Sequence, residues 1–207
     1  NGSLAGPIIG YVGLINQEEL ARLGEKGYQS RDRIGKSGVE REFEEYLRGQ
    51  DGVTEIEVDS LSRPVATVGA RAPVAGSTLV MTIDAKVQQS AEDALRSQLE
   101  TLQSGKYKHA TAGAAVALDP RTGEIIAMAT EPGYDPGWFV PRISDEQWRQ
   151  VSTGVSGLFN RAISGAYPPG STFKPFTAIA ALEAGVIDLD DRILCSPSVS
   201  SRYYRKR

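Results

Sequence analysis

Tyr167-Pro168-Pro169-Gly170-Ser171-Thr172-Phe173-Lys174-Pro175-Phe176 is the stretch around which the rest of the chain is read. Its two adjacent prolines fix the backbone, and Gly170 supplies the turn that follows them. Over residues 172–184 a helix is expected: Phe173, Phe176, Ile179, Ala180 and Leu182 form an apolar stripe, and Gly185 stops it. Pro175 comes at about the end of the first turn, where it forfeits at most one backbone bond. Ser171 and Lys174 are three apart, so they are neighbours on one helical face, with Ser171 at the positive N-terminal end.

That arrangement suits nucleophilic catalysis. A serine hydroxyl is a poor nucleophile until a base takes its proton, and a lysine can do so where its surroundings disfavour the ammonium form. The Ser171 N–H, at a helix start, is a natural oxyanion donor. Four letters do not carry this alone, because S-x-x-K is expected by chance about once in a chain of this length. A phosphate-binding loop is excluded. Gly165 and Gly170 have the required spacing, but Ser171 stands where the lysine belongs, and the prolines remove N–H groups that would cradle phosphate.

With 207 residues, 40% hydrophobic and 24% charged, the chain has room for a core and for one or two domains. A net charge of −3 argues against general nucleic-acid binding. The one cysteine, Cys195, permits no internal disulfide and is read as a packed or loop residue. The one histidine, His109, lies in a polar, Lys-rich segment poorly placed for a Ser-His-Asp triad. No metal-ligand cluster, apolar run of membrane-spanning length or signal peptide is seen. Asn1-Gly2-Ser3 opens without methionine and the chain closes on Arg205-Lys206-Arg207, so it reads as a fragment.

Several local signals place elements along the chain. Residues 7–15 read as a strand or extended segment, and Asn16 caps a helix over 17–23 that ends at Gly24. Residues 25–36 read as a polar, Arg-rich loop or linker. Ser37 and Glu40 form a capping box for a helix through Leu47, with Val39, Phe43, Tyr46 and Leu47 inward and the charges between them solvated. A hairpin is expected over 53–68, then a strand over 78–83. Asp84 caps a long helix whose buried face is Val87, Ala91, Ala94, Leu95 and Leu99. Residues 103–111 and the tail from Ser196 read, like 25–36, as the least ordered parts. Two apolar runs, 113–118 and 124–129, joined by Asp119-Pro120-Arg121-Thr122-Gly123, predict a hairpin buried on both faces. Ser144 and Gln147 form a second capping box, and Tyr134, Trp138, Phe139 and Trp148 read as aromatics packing a crossover onto the core, with a ligand-stacking cluster as the alternative.

Segments in this order resemble the class B penicillin-binding proteins, and within them the elongation-type transpeptidases that serve rod-shaped growth. Ile9-Gly10-Tyr11-Val12-Gly13 is similar to that family's GYVG segment. Ile34-Gly35-Lys36-Ser37-Gly38-Val39-Glu40 with Tyr46-Leu47-Arg48-Gly49 resembles its G-x-x-G-[IV]-E…Y-x-x-L-x-G helix, and residues 79–88 resemble L-T-I-D-x-x-x-Q. Residues 119–128, then Tyr134-Asp135-Pro136, resemble the first hairpin of the transpeptidase domain. Asn160-Arg161-Ala162 and residues 167–174 resemble N-R-A…Y-P-P-G-S-T-x-K, the first catalytic motif.

The resemblance implies an α+β chain. Residues 1–76 would be part of a non-catalytic, dimerisation-type pedestal of strands and short helices. Residues 77–207 would be the N-terminal part of a transpeptidase domain resembling serine β-lactamases. It implies a peptidoglycan D,D-transpeptidase that cross-links stem peptides and is the target of β-lactams, with Ser171 acylated and Lys174 activating it. No cofactor or metal is implied. The expected partners are stem peptides, β-lactam antibiotics and a polytopic membrane glycosyltransferase of the elongation machinery, with no nucleic acid. The expected location is the bacterial cell membrane, with an extracytoplasmic, periplasmic domain whose transmembrane anchor is absent from this chain. The S-x-N and K-T-G motifs are also absent, so the fragment alone is expected to be inactive. Three alternatives stand beside this reading: a serine β-lactamase, a β-lactam sensor, and a non-catalytic pedestal that activates a partner. The first two lack the pedestal-like first third.

Overall fold

The computed structural model describes residues 2–192; Cys195 and the tail from Ser196 lie outside the described residues. The elements mix helices with three two-stranded antiparallel sheets, as an α+β chain should. Residues Asn1–Gly165 form one compact unit and Ala166–Arg207 another.

The first unit opens with α1 (Gly6–Ile9), where Pro7 is accommodated in the first turn, and then β1 (Val12–Leu14). The extended segment expected over 7–15 is therefore helical in its first third and a strand only from Val12. Asn16 and Glu19 form a complete capping box on α2 (Gln17–Leu23). Gly24 continues into a 3₁₀ turn (Gly24–Lys26), and the left-handed residue that ends it is Gly27. Residues 25–36 are not a linker. They contain β2 (Arg33–Gly35), paired antiparallel with β1 and pinned by the buried Ile34. One apolar residue is too weak a pattern to reveal a strand whose partner lies about twenty positions away.

Ser37 precedes α3 (Gly38–Glu42), but its side chain makes no cap bond and lies 3.4 Å from the Tyr134 hydroxyl. The expected single helix breaks at Phe43 before α4 (Glu44–Leu47). At the break Glu44 turns back, accepting from the Gly35 N–H at 2.8 Å and from the Tyr28 hydroxyl at 3.3 Å. Glu44 is thus not a solvated charge, and Phe43 and Tyr46 are exposed. The approach of α3 to α1 requires glycine on both sides. Gly10 has φ 84 and ψ −164, and a Cβ there would lie 1.8 Å from the Ser37 carbonyl oxygen. Gly38 has φ 58, with the Ile8 carbonyl oxygen 2.4 Å from its own hypothetical Cβ.

The hairpin expected over 53–68 is present as β3 (Val53–Val58) and β4 (Pro64–Arg71). No strand forms over 78–83; instead the Thr82 hydroxyl and the Asp84 N–H donate to the carbonyls of Ile125 and Ile126. Asp84 caps α5 (Ala85–Ser104) as expected, accepting from the N–H groups of Lys86 and Val87. The second sheet-forming hairpin is also as expected: β5 (Gly113–Leu118) pairs with β6 (Ile125–Glu131) around the Asp119 turn. Burial is one-sided, however. β6 is covered, whereas β5 is largely exposed among the described residues.

The buried face of α5 matches the expected one in part: Ala91, Leu95 and Leu99 are covered, but Val87 and Ala94 are exposed and Gln88 and Glu92 are buried in their stead. A second core forms where Tyr11 stacks on Phe139 at 3.8 Å between ring centres and Tyr134 meets both edge-on. Val151 of α6 (Asp145–Ser152) closes this core, and the Ser144–Gln147 box caps the helix. Three of the four expected aromatics pack there; Trp148 is exposed. The unit ends with α7 (Arg161–Ser164), and the second unit holds a 3₁₀ turn (Gly170–Phe173) running into α8 (Lys174–Glu183).

Candidate active site

Ser171 and Lys174 lie where the proline-rich loop becomes a helix. Pro169 is in the right-handed helical region, and Gly170 takes φ 56, the left-handed conformation the turn requires. In the 3₁₀ turn that follows, the Thr172 N–H donates to the Pro169 carbonyl at 3.3 Å and the Lys174 N–H donates to the Ser171 carbonyl. A 3₁₀ turn has three residues per turn, so positions i and i+3 eclipse. Ser171 and Lys174 therefore sit in line on one face, more directly stacked than α-helical spacing would give.

The Ser171 N–H opens a helical segment, where backbone donors have no intrahelical acceptor, so it is free to face an oxyanion. Pro175 is the second residue of α8, in the first turn where a missing N–H does no harm. At the far end Gly185 takes φ 65, and the N–H groups of Gly185 and Val186 close on the carbonyls of Leu182 and Ala181. That is the glycine stop expected from sequence, in Schellman form. Phe173, Phe176 and Ile179 of the apolar stripe are exposed among the described residues.

Sequence reasoning gave no role to four polar residues that hold the first unit together. Gln88 is fully buried: its Oε1 accepts from the Met128 N–H at 2.7 Å, and its Nε2 donates to the Met128 carbonyl at 3.1 Å and to Glu92 Oε1 at 2.7 Å. It thereby satisfies the β6 edge as a neighbouring strand would. Glu92 Oε1 also accepts from the Ala5 N–H at 2.9 Å, tying the start of α1 to α5. Asn160 caps α7 and bonds both Thr130 and Pro7. Beside it, buried Arg161 donates to the carbonyls of Ser156 and Phe159 at 3.0 and 3.1 Å. The signal for Gln88 and Glu92 was available, because 88, 92, 95 and 99 repeat at helical spacing; their polarity hid it.

Electrostatic perturbations are spread along the first unit, Glu19, Glu40 and Tyr134 among them. Burial pushes the Glu19 carboxyl up, but the Lys36 hydrogen bond, the Asn16 N–H and the charges of Lys36 and Arg22 outweigh it and hold it below its ordinary range. Burial, then the charge of Glu44, pushes Glu40 up. Burial also raises the Tyr134 phenol, against the Ser37 hydrogen bond. Among the described residues no group of side chains forms a metal site, and no helix is long and apolar enough to cross a membrane.

Comparison with known proteins gives two family matches. Residues 1–81 match the Penicillin-binding Protein dimerisation domain, and residues 113–205 match the Penicillin binding protein transpeptidase domain. The chain belongs to the penicillin-binding proteins. The order of a dimerisation domain before the start of a transpeptidase domain is the order expected from sequence. The Escherichia coli (strain K12) protein Peptidoglycan D,D-transpeptidase MrdA is 39% identical over 191 residues, which cover 90% of this chain and 28% of that protein. The chain spans under a third of the length of the curated relatives it matches. Among solved structures, a penicillin-binding protein, PBP2, in complex with MreC from Helicobacter pylori gives TM-score 0.70 at 27% identity, covering 92% of this chain and 33% of the other. A chain of a peptidoglycan synthase complex, described as coordinating polymerization and crosslinking, gives TM-score 0.78 at 33% identity, covering 98% and 35%.

Proposed function

We propose that this chain is part of an elongation-type peptidoglycan D,D-transpeptidase in which Ser171 is the nucleophile and Lys174 its base. The observation that carries the reading is the 3₁₀ turn (Gly170–Phe173) running into Lys174, whose i, i+3 spacing puts Ser171 and Lys174 on one face, inside the segment matched by the transpeptidase family. Lys174, in its neutral form, takes the hydroxyl proton as Ser171 Oγ attacks the penultimate D-alanine carbonyl of a stem peptide. The Ser171 N–H faces the developing oxyanion. Collapse of the tetrahedral intermediate breaks the bond to the terminal D-alanine, whose nitrogen leaves protonated. An amine of a neighbouring stem then attacks the ester, forms the cross-link and returns Ser171. A β-lactam enters as the acyl donor and stops at the ester.

Residues up to about Gly76 serve as pedestal and the transpeptidase domain begins at about Ser77; the dimerisation-domain match runs a few residues further, to 81, and the transpeptidase match starts at 113. The related synthase complex, described as coordinating polymerization and crosslinking, supports a polymerising glycosyltransferase as partner; a membrane-anchored, extracytoplasmic setting is part of the same proposal.

The test is covalent labelling of the full-length protein by a fluorescent penicillin. Ser171→Ala should abolish labelling. Lys174→Ala should slow acylation by roughly two to four orders of magnitude without weakening initial binding, since general-base assistance is worth that much. If Lys174 only solvates a helix face, its removal changes labelling less than about twofold, and the assignment fails.

A further inference from the structure

The 3₁₀ turn that carries Ser171 is held by a side chain as well as by the backbone. The Thr172 hydroxyl donates to the Pro169 carbonyl, the same oxygen that accepts from the Thr172 N–H at 3.3 Å. The hydroxyl makes the closer contact of the two. In an α-helix the Pro169 carbonyl would instead take the N–H of Phe173, and the Ser171 carbonyl would take that of residue 175. Residue 175 is proline and has no N–H, so the Ser171 carbonyl is left to the Lys174 N–H. The turn is thus tied in the three-residue pattern by Thr172 at its start and by Pro175 at its finish. The form matters, because three residues complete a revolution of a 3₁₀ turn, whereas an α-helix leaves positions i and i+3 about 60° apart. All of these atoms lie in the second unit.

We propose that Thr172 is a positioning residue for acylation: its hydroxyl holds the turn in the 3₁₀ form that lines up Ser171 with Lys174. The inference rests on the reading of Ser171 as nucleophile and Lys174 as base. Gly170, at φ 56, gives the backbone just before Ser171 the freedom to relax once the hydroxyl is removed. A turn that relaxes toward the α-helix moves the base out of line with the serine hydroxyl, and proton transfer slows. The Thr172 side chain is exposed, so it packs no core whose loss would mimic that effect.

Valine matches threonine in shape and branching but has no hydroxyl, and serine keeps the hydroxyl without the methyl. In the full-length protein, the concentration dependence of fluorescent-penicillin labelling yields a first-order acylation constant and an apparent Kd. Thr172→Val should lower the acylation constant by about three- to tenfold, the scale of one net hydrogen bond, with Kd and Tm unchanged. Thr172→Ser should restore it. Wild-type acylation by Thr172→Val would overturn the proposal, because the backbone alone would then hold the turn. Equal slowing by Thr172→Val and Thr172→Ser would overturn it by a second route, since the methyl and not the hydroxyl would then matter. A raised Kd with an unchanged acylation constant would also overturn it, placing Thr172 in binding instead. Thr172→Ala removes the same hydroxyl and puts the same question if the valine variant does not fold. Ser171→Ala is run alongside: labelling that persists there refutes the choice of nucleophile, whatever Thr172 does. Labelling abolished there, with wild-type acylation by Thr172→Val, refutes the role of Thr172 alone.

Discussion

Replacing Gln88 by leucine tests how the β5–β6 sheet is held. Leucine nearly conserves volume, so the change removes polarity with little change in packing. It leaves the Met128 N–H and carbonyl without their partners at 2.7 and 3.1 Å, and takes from buried Glu92 the donor at 2.7 Å. Gln88 is 0% exposed and Glu92 6%, so water does not replace these bonds. An orphaned buried group costs about 1–3 kcal/mol. Two backbone groups and a weakened carboxylate therefore predict a loss of about 3–5 kcal/mol. For a unit the size of Asn1–Gly165, that is a fall in Tm of roughly 6–20 °C at about 2–4 °C per kcal/mol. Thermal unfolding of the full-length protein gives the stability, and hydrogen exchange over β6 shows whether Met128 loses protection. A Tm within about 2 °C of wild type, with exchange unchanged, would refute the reasoning.

Two further outcomes follow from the opening third. Glu19 has a depressed folded pKa, so its contribution is complete above the ordinary glutamate value of 4.5 and is lost as pH falls through the lower folded value. Glu19→Gln keeps an acceptor for the Asn16 N–H but not the pairing with Lys36, so the stability gap between it and wild type should be constant from pH 6 to 8 and close on acidification; a gap independent of pH in urea unfolding counts against this. Gly10→Ala should cost about 3 kcal/mol or more, because the backbone conformation there is essentially restricted to glycine and the new Cβ meets the Ser37 carbonyl; urea unfolding showing under about 1 kcal/mol would contradict that.

What the sequence disclosed was local chemistry. Asp84 before α5, the Asp119–Gly123 turn, the Ser144–Gln147 box and Gly185 each act on neighbours within a few residues, so their letters suffice. What it concealed depended on distant partners. β2 exists because β1 offers it a register, with Gly13 opposite Ile34, and no pattern within residues 25–36 announces that. The helix break at Phe43 is accompanied by Glu44 reaching the Gly35 N–H, a bond that propensity does not register. Gln88 and Glu92 were hidden for the opposite reason: helical spacing placed them inward, but polar residues are read as outward until their partners are known. At the candidate site the stacking of Ser171 and Lys174 was legible because it is local, whereas the 3₁₀ form of the turn was not.

The same distinction bears on where one domain ends and the next begins. The family resemblance suggests a boundary near residue 76, yet the turn at the very start of the chain is bonded to elements far beyond it. α1 is four residues long, too short to persist as an isolated helix. Its first N–H, that of Ala5, is held by Glu92 of α5, and its Pro7 carbonyl is held by Asn160 before α7. Tyr11, just after it, stacks on Phe139, and Arg33 of β2 donates to the Pro141 carbonyl. These contacts join residues 87 to 153 positions apart, so cutting at residue 76 would strip partners from buried groups on both sides. A transpeptidase domain expressed from residue 77 onward would therefore expose the Glu92 carboxylate and the Tyr134–Phe139 core. The physical seam follows α1, not the sequence boundary.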